Sequence, residues 1–329
     1  MLVHLFGGQY KYMNRFNLEN YKGGWTSDTK DVRDYKWDLI FGSSTPVSIP
    51  DSFKIENLPL ISPIQAHSNS CVSCSFSYVE AFKQIKEYKK DFDLSWRYIW
   101  ANTPHTQSGS TFRDNAKTCQ EGIASTKTCP NFENKLKEWI ENPDNITEEA
   151  RAEAPFNRIK NYQYVSWLDF RRALYRGEPL IIAVGGNQTD WNGNNVRNNN
   201  YIIDQEGQQS HREWLHAIVV VGYRKVNGHF IYKFRNWWGD DWGDNGFAWL
   251  KNPDILSIIS VEDIIIKRKN MKFVKLENEN AVYLIKGNNA YPISSGDDYL
   301  NLEEDWSVVE TVSEITQEIS SKRLFTFIR

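Results

Sequence analysis

No stretch of this 329-residue chain approaches the roughly 20 consecutive apolar residues that a membrane span needs. That argues against a helical span within it. A surplus of positive charge is missing too: the net charge is −3 and the sequence pI near 6.1, which gives no electrostatic footing for nucleic acid. The one basic run, Lys267 to Lys272, is expected to be a solvated linker at a domain junction. No His-Glu-x-x-His occurs, and His211 and His216 are five apart, off any common helix face. The four cysteines contain one Cys-x-x-Cys, Cys71 to Cys74, with no second half at useful spacing, so neither a metal site nor a cofactor is expected. Residues Met1 to Phe6 have neither the basic start nor the apolar run of a secretory signal. A cytoplasmic location and export by another route both stay open.

What the chain does have is enough apolar material for a sizeable core, 40% hydrophobic with 14% aromatic, in a length beyond one average domain. Its chemistry gathers in three segments. Ser70-Cys-Val-Ser-Cys74-Ser-Phe76 follows Pro63-Ile-Gln65, and its Ser73-Cys74-Ser75-Phe76 part opens a run through Tyr78, Val79, Ala81, Phe82 and Ile85 whose spacing suits a buried helix. His216-Ala-Ile-Val-Val-Val-Gly-Tyr223 reads as a buried strand. An Asn227-Gly228 turn then predicts a hairpin returning through Phe230 to Phe234 and on to Asn236-Trp-Trp-Gly-Asp-Asp-Trp-Gly243. A thiol with an ordinary pKa of roughly 8.5 needs a cationic neighbour or a helix N-terminus to ionise at neutral pH. Cys74 at the start of its predicted helix has access to both, with His216 as base and Asn236 to orient the imidazole.

These segments resemble the nucleophile, His and Asn segments of papain-like cysteine peptidases of the bacterial type. The family's late pattern reads His-Ala-x-x-x-x-Gly-Tyr, then Asn-Ser-Trp-Gly-x-x-Trp-Gly. The 142 residues from Cys74 to His216 fit the interval of about 130 to 150. The resemblance implies an α+β papain-like fold, a helical half facing a β-barrel-like half, and hydrolysis of peptide bonds in peptide or protein substrates through a thioester on Cys74. It implies Gln65 as an oxyanion donor, although Gln65 stands nine residues before Cys74 where the family has six; Asn69 is the alternative donor. It further implies that Ser110 and Thr111, in Gly109-Ser-Thr-Phe-Arg-Asp-Asn-Ala116, line the substrate cleft with one of them capping a helix. Trp214 and Leu215 would border a substrate pocket, and Trp238 would shield the His–Asn pair. The Gly-Cys-x-Gly-Gly segment that supplies the usual disulfide partner is absent, so Cys71 is expected either as a thiol or bridged to Cys119 or Cys129. The displaced glutamine keeps one alternative open, a catalytically weak papain-fold binding protein.

The domain division expected is a leader or propeptide at 1–48, the peptidase domain at 49–268 and a small β-rich module at 269–329. The leader is expected either to block the cleft or to pack on the surface. In the module, Ala281 to Ile293 alternates around Gly287-Asn288 as a hairpin would. Its role is expected to be structural, or docking to a partner or surface.

Overall fold

Residues 21, 23–31, 34, 36–37, 48–65, 68–88, 93–132, 135–263, 272–277, 282–286, 289–292, 309–314 and 318–319 are described by a computed structural model. The helical half is built on α1, Cys71–Tyr88. Every side chain from Cys71 to Phe82 is buried, so this helix is covered on all sides. Its serines are tolerated there because each hydroxyl donates a hydrogen bond: Ser73 to Asn115 Oδ1 at 2.6 Å, Ser75 to the Cys71 carbonyl at 2.8 Å, Ser77 to the Cys74 carbonyl at 3.0 Å. Around it pack α2, Trp96–Asn102, capped by Ser95, and α3, Phe112–Glu121, capped by Thr111. The helix predicted from the Cys74 segment thus begins three residues earlier than expected.

The β half is an eight-stranded sheet. Its strands are β1 (Ser52–Lys54), β2 (Ile159–Tyr164), β3 (Leu180–Gly186), β4 (Ile202–Asp204), β5 (Trp214–Val226), β6 (His229–Arg235), β7 (Phe247–Lys251) and β8 (Ile255–Asp263). The order is β2-β8-β3-β5-β6-β7-β4, with β1 added to β5. All pairings are antiparallel except β4 with β7. β5 and β6 form the expected hairpin, with Val226 opposite His229 and both turn residues at positive φ, Asn227 at 50° and Gly228 at 84°. The sheet separates two cores. Ala217, Val219 and Val221 on β5 face α1, while Ile218 and Val220 face the opposite way, toward Trp191, Trp214 and Trp238. Alternation along one strand therefore sends His216 to the tryptophan side and its neighbour Ala217 to the helix side.

A second sheet, β12-β9-β10-β11-β13, is formed by β9 (Lys272–Leu276), β10 (Val282–Lys286), β11 (Asn289–Pro292), β12 (Val309–Val312) and β13 (Glu318–Ile319). β10 and β11 pair as the expected hairpin, Lys286 opposite Asn289. The Gly287-Asn288 turn, the Lys267 to Met271 part of the basic run, and most of residues 1–48 lie outside the described residues. Among the described residues no helix is long and apolar enough to cross a membrane, and no cluster of metal-binding side chains occurs.

Candidate active site

His216 stands near the start of β5 and Asn236 just after β6, so the hairpin brings them together. His216 Nε2 lies 2.8 Å from Asn236 Oδ1, and both side chains are fully buried. An amide oxygen accepts, so Nε2 carries the proton and Nδ1 is left as the acceptor on the other edge of the ring. Trp238 stacks on the imidazole at 5.1 Å, with Trp214 and Trp191 edge-on at 6.0 Å. This apolar cage pushes the imidazole pKa down to about 3, burial outweighing the bond to Asn236.

The sulfur beside this histidine strand belongs to Cys71, three residues before the expected Cys74. Cys71 is the first residue of α1, and its Sγ accepts the Ala217 N–H at 3.3 Å from the strand that carries His216. The Cys71 and Val72 N–H groups of the first helical turn also point at the sulfur. Cys74 sits one turn further in. Its N–H is already spent on the Ser70 carbonyl at 2.9 Å, and its Sγ lies 3.7 Å from Ser70 Oγ inside the core. The physical reason is the helix start: dipole and unpaired N–H groups serve residue 71, and by residue 74 the ladder has closed. The signal was in the sequence, since Gln65 precedes Cys71 by six residues, the family interval. None of the four cysteines is in a disulfide.

One hydroxyl ties the site together. Tyr21 Oη lies 2.5 Å from His216 Nδ1, to which it donates, and it stands beside the Cys71 thiol and the Gln65 side chain. Gln65 is fully buried, its N–H on the Trp237 carbonyl and its amide also bonded to the Ser68 carbonyl at 3.0 Å. Asn69 turns away instead, its side chain bonded to the Gln107 carbonyl. With Tyr21 in position burial pushes the Cys71 thiol up to about 12, so thiol and imidazole are both neutral.

The chain that carries Tyr21 continues along the cleft. The Gly24 N–H donates to the Leu215 carbonyl at 2.9 Å, and Gly24 and Thr26 bracket Ser110 in a parallel bridge, at 3.2 and 3.0 Å. A Cβ at Gly24 would stand 2.7 Å from Cys71 Sγ and 2.5 Å from the Asn69 carbonyl, so only glycine passes there. Ser110 thus presents a backbone edge to a chain in the cleft. Thr111 does not join it, because its hydroxyl caps α3 by accepting the Asp114 N–H at 3.0 Å. Leu215 meets the segment through its carbonyl. Trp214 is buried against Tyr21 and against Gly186, where a Cβ would collide with the indole. Asn115, which the sequence reading missed, fastens this edge to α1: its Nδ2 donates to Ser110 Oγ at 2.7 Å and its Oδ1 receives Ser73.

Residues 49–261 match the sequence profile described as papain family cysteine protease, more than half of the chain. The chain belongs to the papain family of cysteine proteases. Similar solved structures agree in fold. Xylellain, a cysteine protease from Xylella fastidiosa, superposes with a TM-score of 0.60 at 20% identity, covering 74% of this chain and 96% of that one. Digestive procathepsin L 3 of Tenebrio molitor gives 0.51 at 14% identity, over 76% and 77%. A viral cathepsin of Lymantria dispar multicapsid nuclear polyhedrosis virus is 53% identical over 32 residues, 10% of this chain and 9% of its own length. By family the chain is a cysteine peptidase with the α+β architecture of the papain-like enzymes, and both halves lie within the matched range.

Proposed function

We propose that the chain hydrolyses peptide bonds with Cys71 as nucleophile, His216 as base and acid, and Asn236 as the group that orients the imidazole. The observation that carries this reading is the Tyr21 hydroxyl, because one oxygen atom is hydrogen-bonded to the His216 Nδ1 edge and stands beside the Cys71 thiol and the Gln65 side chain. A substrate carbonyl in that same space would have all three groups around it. The Cys71 thiol gives its proton to His216 Nδ1, and the thiolate adds to the carbonyl carbon. Negative charge on the carbonyl oxygen is met by the Gln65 amide and the Cys71 N–H. Nδ1–H then protonates the leaving nitrogen as the C–N bond breaks, which leaves a thioester on Cys71. Water, deprotonated by His216, releases the acid and restores the thiol.

The same reading makes residues 21–31 part of a leader that holds the enzyme latent, since Tyr21 and Gly24 fill the space a substrate needs. Two of the similar structures carry proenzymes by name, procathepsin L 3 and proCathepsin B S9 from Trypanosoma congolense. Gln65 is in register with Cys71, which removes the ground for preferring a binding protein without catalysis.

The test compares two single substitutions in the full-length chain after it has reached constant activity on a mixed peptide pool. Cys71→Ala is expected to abolish hydrolysis, and Cys74→Ala to retain most of it, with a stability loss of about 1 kcal/mol from the lost buried sulfur. Activity that survives Cys71→Ala and vanishes in Cys74→Ala, with both chains folded, would return the role to Cys74.

A further inference from the structure

Beyond Ser110 the leader is held by carboxylates. Asp28 Oδ1 accepts the Arg113 backbone N–H at 3.0 Å, and its Oδ2 accepts the Tyr164 hydroxyl at 3.0 Å. The Asp34 carboxylate takes two bonds from the Arg113 guanidinium, at 2.7 and 2.9 Å, and the other terminal nitrogen reaches the Thr29 carbonyl at 2.9 Å. Tyr162 also hydrogen-bonds Arg113. The cradle is part of the protease domain: Arg113 stands in the first turn of the ten-residue α3, where unpaired N–H groups and the helix dipole favour an anion, and Tyr164 ends β2. Among the described residues, every carboxylate hydrogen-bonded to Arg113 comes from residues 28–34.

Removal of the leader would leave this cation with neither of its aspartates. The guanidinium is 18% exposed while paired with Asp34, and loss of residues 28–34 would uncover it as a forked donor open to another carboxylate. Arg113 follows Ser110 by three residues, and Ser110 supplies the backbone edge along which a chain in the cleft pairs. A substrate strand pairing with Ser110 therefore runs on toward a planar, forked donor suited to carboxylate, with a helix N–H and a phenol beside it.

We propose that Arg113, with Tyr164, is a substrate subsite for an acidic side chain, occupied by Asp28 and Asp34 of the leader in the latent enzyme. This rests on the reading of the site as a peptidase with a displaceable leader. It assigns the enzyme a substrate class, peptides with an aspartate or glutamate a few residues from the bond that is cut.

Full-length enzyme is brought to constant activity on a neutral reference peptide. kcat/KM is then measured on a series in which a single aspartate, or asparagine at the same site, is walked through six residues on each side of the cleaved bond. At one or two adjacent positions aspartate is expected to exceed asparagine about fivefold, the gain falling in 0.5 M salt. Arg113→Gln is expected to erase the difference between aspartate and asparagine at those positions, and Arg113→Lys to keep part of it. No discrimination at any position overturns the subsite, as does discrimination that survives Arg113→Gln. Should Arg113→Gln fail to fold, Tyr164→Phe removes one hydroxyl from the cradle and is expected to cut the preference about twofold, and an undiminished preference overturns the proposal. Absence of turnover on every peptide, the reference included, overturns the peptidase reading and the subsite with it, whereas turnover without carboxylate preference overturns the subsite alone.

Discussion

The hydroxyl of Tyr21 stands among groups that would otherwise turn to one another or to water. Replacing it by hydrogen removes the donor to His216 Nδ1 and leaves that buried nitrogen without its partner, a penalty of about 1 to 3 kcal/mol. In the full chain, Tyr21→Phe is therefore expected to raise the rate of Cys71 alkylation at pH 7 roughly 10- to 100-fold, since each 1.4 kcal/mol is tenfold in the population of the open form. Peptide mapping of the labelled chain gives the rate. An unchanged rate would mean that the ring's bulk, and not its hydroxyl, closes the site. Tyr21 itself was not legible in the sequence, because it meets His216 across 195 residues and no local pattern encodes such a contact. Cys71 was legible by counting back to Gln65. The apolar positions Tyr78, Val79, Ala81, Phe82 and Ile85 fix which stretch is helical but not where its first turn lies, and that gap separates Cys71 at the helix start from the expected Cys74.

At the scale of elements, the clearest forecast was the β5–β6 hairpin, and its physics is local. Asn227 and Gly228 both adopt positive φ, which few residue pairs accept, and the strand pattern on either side then has one register available. A Cβ at Gly228 would meet nothing within 4 Å, so Gly228→Ala isolates the backbone cost. The expected loss is about 1 kcal/mol in denaturant unfolding of the protease domain, with His216 and Asn236 still paired. A loss near zero would show that the turn relaxes without strain. The cleft edge, in contrast, could be read only in part. Gly109 to Thr111 announces a loop entering a helix, but which hydroxyl caps and which backbone receives a chain depends on Asn115, whose side chain holds the Thr111 carbonyl at its own helix start and also reaches Ser110 and, on α1, Ser73.

For the molecule as a whole, opening of the cleft is linked to proton uptake. With Tyr21 in place His216 is fully buried and neutral, its pKa about 3, and withdrawal of Tyr21 opens its Nδ1 edge to solvent and is expected to move that pKa toward the ordinary 6.5. A group whose closed-state pKa is depressed stabilises the closed form above the ordinary value, and that contribution is lost as pH falls from 6.5 toward 3. Amide exchange at Gly24 and Thr26, whose N–H groups bond to Leu215 and Ser110, is the direct measure. After correction for intrinsic rates, their protection is expected to fall by up to about tenfold per pH unit over that interval, and less steeply in His216→Asn. Protection that is flat with pH in the native chain would uncouple the leader from the imidazole.

The thread from Ser73 through Asn115 to Ser110 joins α1 to the cleft edge with hydrogen bonds alone, and all four cysteines are thiols. A thiol enzyme has to be handled in reductant to keep its sulfur competent, and here the reductant finds no cross-link to cut. The fold and its cleft can therefore be assembled, activated and assayed at any thiol–disulfide poise that spares Cys71 itself.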